Sequence, residues 1–225
     1  MKKTDYDDKA AITDNPLMLA AVVAVAAIMV IAFTADTQSV GVDEGDRAIG
    51  LTGFAYDGNG WNDFDLKDYF DESWEEGDVS GEWVVIEFMD TDCPYCVASA
   101  DDIAEDMQDF SGNEPSWNGP VVNFVFVASE LTINGHDSSR GEIQAFRDKT
   151  EGYECAGSDC SSRPGPPHNA PYIDDIDRDI LNKWKVQGTP TYILIQPDGI
   201  INWISSENPG EDLTDAIVAN TPRSS

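Results

Sequence analysis

The stretch Val84-Val-Ile-Glu-Phe-Met-Asp-Thr-Asp-Cys-Pro-Tyr-Cys96 runs from a short apolar segment into two cysteines separated by two residues. A near-continuous apolar run of this length is the pattern of a strand covered on both faces. Beyond it, Val97, Ala100, Ile103, Ala104, Met107 and Phe110 recur at helical spacing, with Asp101, Asp102, Glu105 and Asp106 between them. The stretch therefore reads as strand, short loop and amphipathic helix. Cys93 falls at the helix N-terminus and Pro94 at its first position, where a missing N–H costs nothing. Unpaired backbone N–H groups and the helix dipole stabilise a thiolate there, lowering the thiol pKa from about 8.5. Cys96, one turn on, lies beside Cys93 and is less exposed. An outer thiolate that attacks a disulfide and an inner thiol that resolves the product is the chemistry this spacing serves.

Two other roles compete with redox use. An inert Cys93–Cys96 bond closes so short a loop that it restrains the unfolded chain little. A zinc site needs four ligands, usually two such pairs. The remaining candidates are Cys155 and Cys160, His136 and His168, and nothing in their spacing asks for a metal. Neither a metal nor a cofactor is expected.

Further out, Val121–Val127 is a second buried strand, and the two strands joined by a helix make a right-handed βαβ unit. Upstream, Ala48–Leu66 is broken by Asp57-Gly-Asn-Gly60, which predicts a β-hairpin, and Lys67–Glu82 is an acidic linker with one helical turn. Downstream, Glu142–Lys149 predicts a short helix. Residues 151–171, rich in Gly, Ser and Pro, predict a loop or insertion. Ile173, Ile176, Ile180 and Trp184 mark one face of a further helix. Strands at 191–196 and 200–204, joined by Pro197-Asp-Gly199, precede a last helix carrying Leu213, Ala216 and Ile217.

The formal charge is −30, from 43 acidic and 13 basic residues, and the acids are spread along the chain. Such a surface repels nucleic acid and anionic lipid, so a nucleic-acid role is excluded, and it suits a saline medium. From Asn15 to Ala35 there is no charged residue, and Leu17–Phe33 is almost wholly apolar. At about 1.5 Å per residue this is long enough for a transmembrane helix. A cleaved signal peptide is the rival, but its apolar core is usually only ~7–15 residues. Lys2, Lys3 and Lys9 precede the span and the next basic residue is Arg47, which keeps the N-terminus cytoplasmic. The expected organisation is a cytoplasmic N-terminus (1–16), an anchor (17–35), a polar tether (36–47) and an extracytoplasmic domain (48–222), where disulfides persist.

The segments VVIEFMDTDCPYC (84–96) and VQGTPTYILIQPDGIINW (186–203) together resemble the thioredoxin-like family, specifically its membrane-anchored extracytoplasmic branch of TlpA and ResA type. The resemblance covers roughly 48–220. It implies an α/β thioredoxin fold, a central mixed sheet flanked by helices, with an N-terminal hairpin extension and a single N-terminal transmembrane helix. It implies a thiol-disulfide oxidoreductase acting on extracytoplasmic protein thiols or disulfides, with a membrane redox partner. Residue by residue, it makes Cys93 the nucleophile, Cys96 the resolving thiol and Pro190 a cis-proline facing the dithiol. The Thr189 backbone would then pair with a substrate strand. Glu87 takes the position of a buried carboxylate; in an apolar strand its pKa is raised, so it could accept the Cys96 proton, whereas at a sheet edge it would be solvated. Asp92 stands where the family usually has Trp, and with Asp90 it is expected to oppose thiolate formation at Cys93. Cys155 and Cys160 read as a structural disulfide, with a relay to Cys93 as the sharper option. The alternative function is a copper-delivery or non-catalytic binding module using the thiols with His136 or His168.

Overall fold

A computed structural model describes residues 16–34 and 38–224. They fall into two units, one holding helix α1 (Pro16–Thr34) and the other running from Ser39 onward. Among the described residues no helix is long and apolar enough to cross a membrane. The expected transmembrane segment is thus the part of the fold class that the structure leaves without support.

The second unit runs β1 (Val40–Gly41), β2 (Arg47–Ala48), β3 (Thr52–Tyr56), β4 (Trp61–Asp65), β5 (Trp83–Met89), α2 (Pro94–Asp109), β6 (Val122–Ser129), α3 (Arg140–Asp148), β7 (Glu154–Cys155), β8 (Ser158–Asp159), β9 (Tyr172–Asp175), α4 (Asp179–Lys183), β10 (Thr191–Ile195), β11 (Ile201–Ile204) and α5 (Leu213–Asn220). Seven strands form one sheet in the order β11-β10-β5-β6-β9-β3-β4. β5, β6 and β9 are mutually parallel, while β10, β11, β3 and β4 run antiparallel to their neighbours. This mixed sheet with helices packed on it is the thioredoxin-like α/β fold.

Side-chain alternation along β5 divides the core. Val84, Ile86 and Phe88 face one cluster with Leu181 and Trp184. Trp83, Val85 and Met89 face the other, with Cys93, Cys96, Ile103 and Phe126. Glu87 shares the parity of Val85 and Met89, so the period of two sends its carboxylate toward the cysteines. The predicted hairpin forms as β3 and β4. Asp57 closes its turn by accepting from Asn59 N and Gly60 N at 2.8 and 3.1 Å, and Gly58 supplies a φ of +95°.

Two expectations are corrected. Ile173 and Ile176 do not share a helix face: residues 172–175 form β9, inserted between β6 and β3, and the helix is confined to Asp179–Lys183. The isoleucine spacing mimics a helix, but a strand slot buried on both faces takes Tyr172 and Ile173, each 0% exposed. Asp175 then ends the strand by accepting from Ile180 N and Leu181 N, at 2.8 and 3.0 Å. The polar segment before residue 48 is also not all tether. Val42 and Ala48 are buried, and Ala48 N donates to Gly199 O while Ile201 N donates to Asp46 O, both at 2.9 Å.

Candidate functional site

Cys93 caps α2 in extended backbone, with Pro94 at the first helical position. Both Cys93 and Cys96 are free thiols and both are buried. Cys93 Sγ donates to Thr189 O at 3.4 Å, and the Thr189–Pro190 peptide bond is cis. The loop before β10 therefore lies directly against the outer cysteine.

The two thiols are driven apart in acidity. Cys93 is pushed down to about 5, first by the hydrogen bond from the Cys96 thiol, and further by the Thr189 side chain and the Cys96 and Tyr95 N–H groups. Cys96 is pushed well up, by burial and then by giving its hydrogen bond to Cys93, with the charges of Glu87 and Cys93 adding to it. Glu87 is 4% exposed, and burial, aided by the Cys93 charge, raises its carboxyl to about 8. It sits in mid-sheet opposite Tyr192 on β10 and Phe126 on β6, not at a solvated edge. The arrangement comprises an outer thiol made readily ionisable, an inner thiol held protonated and a buried acid whose charge acts on the inner one.

The expected opposition from the aspartates does not appear among the leading influences on Cys93. The carboxylates are tied to other partners. Asp90 accepts from Asp92 N at 2.7 Å and from Leu131 N at 2.8 Å, and burial raises its pKa to about 6. Asp92 Oδ2 lies 2.5 Å from His136 Nδ1, and its Oδ1 accepts from Ala156 N at 3.2 Å. In the sequence alone Asp92 is a bare charge beside Cys93, and these contacts are invisible. No local signal joins residue 92 to residues 136 and 156, because the loop after β6 and the β7–β8 turn meet it only in three dimensions.

Cys155 and Cys160 are bonded to each other across the β7–β8 hairpin. The insertion that carries them is held down by buried Arg163, whose Nε donates to Phe146 O at 2.5 Å. Gly165 then passes so close to α2 that a Cβ would meet Asp101 Cα at 2.8 Å, at a φ of +74°. His168 belongs to the same packing. Its Nε2 must donate to the Ala100 carbonyl at 2.8 Å, so Nδ1 accepts from Tyr172 Oη at 2.5 Å. This is a neutral core histidine, lowered to about 3 by burial. His168 is thereby committed away from the thiols, and His136 faces carboxylates.

Grooves of about 610 and 480 Å³ flank cis-Pro190, the first lined by Ser99, Ile103, Asp106, Tyr192 and Trp203, the second by Trp184, Val186 and Thr189. They leave open space on both sides of Pro190.

Residues 58–204 match the family described as AhpC/TSA. No curated protein matches the sequence. Among solved structures, a reduced 2-Cys peroxiredoxin from Plasmodium vivax is similar at 14% identity and TM-score 0.52, covering 77% of this chain and 78% of that one. A hypothetical protein from Sinorhizobium meliloti 1021 is similar at 17% identity and TM-score 0.51, covering 82% and 84%. At these identities the likeness is one of fold.

Proposed function

We propose that this chain, which belongs to the AhpC/TSA family, is a thiol-disulfide oxidoreductase that exchanges electrons with protein disulfides or thiols through Cys93 and Cys96. The observation that carries the reading is the asymmetric dithiol facing cis-Pro190, with Glu87 buried beside it. In the reducing direction the Cys93 thiolate attacks a substrate disulfide, forming a mixed disulfide and releasing one substrate thiolate. Cys96 gives its proton to Glu87 in its carboxylate form and attacks Cys93 Sγ, releasing the second thiolate and closing the Cys93–Cys96 bond. Two electrons pass to the substrate, and the oxidising direction is the reverse. Thr189 and Pro190 present backbone to the substrate strand in the flanking groove.

The finer reading is the membrane-anchored, extracytoplasmic branch of TlpA and ResA type, with the N-terminus cytoplasmic and a membrane redox partner. Its support is the uncharged run Leu17–Phe33, the lysines that precede it and a disulfide of the kind that persists outside the cytoplasm.

A redox titration of the chain in high salt, with each cysteine followed by alkylation and mass spectrometry, tests the activity. A reversible Cys93–Cys96 couple is expected. A potential near or below about −270 mV assigns reduction, and one of about −120 to −180 mV assigns oxidation or isomerisation. Failure of these two cysteines to bond reversibly overturns the reading.

A further inference from the structure

We propose that His136 and Glu142, with Asp92 orienting the histidine, form a binding site for a divalent cation of the zinc class. The site uses neither thiol, so it stands or falls independently of the exchange reading.

One donor atom from each of the three residues lies within 4.8 Å of the others. Asp92 and Glu142 are each 4% exposed, whereas the His136 side chain is 40% exposed and opens the cluster to solvent. The decisive atom is Glu142 Oε1, which is buried and makes no hydrogen bond, its one polar neighbour across the cluster being His136 Nε2 at 3.5 Å. A buried carboxylate oxygen left in that condition is costly, and something must meet it.

The imidazole identifies the missing group. Asp92 is an acceptor, so the Nδ1 bond at 2.5 Å places the ring proton on Nδ1. In the neutral ring Nε2 then carries a lone pair, and it faces Glu142 Oε1 at 3.5 Å. Two lone-pair donors thus converge on one space from a nitrogen and an oxygen. Zinc bonds of roughly 2.0–2.2 Å to such atoms set tetrahedral neighbours about 3.4 Å apart, close to the spacing present. The Asp92 contact is the outer-shell carboxylate that commonly orients a metal-bound histidine, and water reaching the open side of His136 supplies the remaining ligands.

The backbone supports the same geometry. Ser139 caps α3, with its Oγ accepting from Glu142 N at 3.3 Å, which holds Glu142 in the first turn below the His136 loop. Thr91 Oγ1 and Ser138 Oγ lie 2.9 Å apart and tie that loop to the segment carrying Asp92.

The test is titration of the full chain, in high salt and with Cys93→Ser and Cys96→Ser to remove the dithiol as a competing ligand, with zinc chloride followed by calorimetry. One equivalent of zinc is expected to bind, and His136→Ala and Glu142→Gln should each weaken it at least about tenfold. Asp92→Asn should weaken it less than either. Circular dichroism of the metal-free variants checks folding, and His136→Gln replaces any that fail. In the unmutated histidine background, the His136 imidazole proton resonances should shift on zinc addition. Absence of stoichiometric binding, binding undiminished in both ligand variants, or an unmoved His136 resonance overturns the proposal. The last two outcomes would leave the cluster as an ion pair among surface carboxylates that bind zinc diffusely.

Discussion

The chain holds two cysteine pairs in opposite chemical states, and their surroundings account for the difference. Cys155 and Cys160 are bonded to each other across a hairpin of two-residue strands, with Cys160 opening a single 3-10 turn. Cys93 and Cys96 lie one helical turn apart, and the first occupies the point where unpaired N–H groups converge. Burial is similar for all four, so burial alone does not decide reactivity. The deciding factor is whether the fold sets a sulfur among N–H groups and a neighbouring thiol that stabilise a thiolate, or joins two sulfurs directly to each other. One pair is poised to exchange, and the other holds an insertion in place.

The sharpest break between the pairs is kinetic. Cys93→Ser should abolish turnover of a protein disulfide, by on the order of 10³-fold or more, while leaving the urea midpoint nearly unchanged. Cys96→Ser should instead accumulate a mixed disulfide through Cys93, visible as a mass adduct. Turnover that survives Cys93→Ser would show that the pairs are not divided in this way.

His168 links the two regions, since it follows the disulfide-bearing insertion and bonds to α2 at Ala100. Its folded pKa of about 3 lies below the unfolded value, so between those values the unfolded state binds the extra proton. Stability should be fully present above about pH 6.5 and fall as pH drops toward 3, by a few kcal/mol from this residue. Urea unfolding at stepped pH measures the slope, and His168→Gln should flatten it.

Glu87→Gln keeps the shape of the buried acid and removes its proton affinity. Resolution of the mixed disulfide should slow by about 10²-fold, with the first attack by Cys93 little changed. Stopped-flow tryptophan fluorescence separates the two steps. Equal slowing of both would assign Glu87 a structural role only.

The smallest effect is expected at the second pair. Replacing Cys155 and Cys160 by alanine should cost about 2 kcal/mol of stability, as expected for so short a closed loop, with the Cys93–Cys96 potential unmoved. A shifted potential would revive the relay between the pairs.

Local pattern made much of this legible. The run 84–89, the helical periodicity after Cys96 and the turn at Asp57–Gly60 each specify one element, and each forms close to where the pattern puts it. Glu87 lies between pattern and structure, because the resemblance points to a buried carboxylate there and the strand alternation seen in the structure places it on the cysteine face. The segment 172–184 shows where it stops. Its isoleucines satisfy a helical spacing, yet pairing with β6 and β3 offers more burial than one more helical turn, and the strand wins.

The sequence by itself determined the dithiol and its helix terminus, because both follow from short-range geometry: a strand, a turn and a first helical residue; the proline opposite was reached only through the family resemblance. Only the tertiary structure decided what surrounds them. Asp92 is read from the chain as a charge that opposes the Cys93 thiolate, and in the fold it is turned to His136 and Ala156. Those partners lie more than forty residues away in sequence. Electrostatic energy depends on distance and on which partner a charge meets, and neither quantity is written in local sequence.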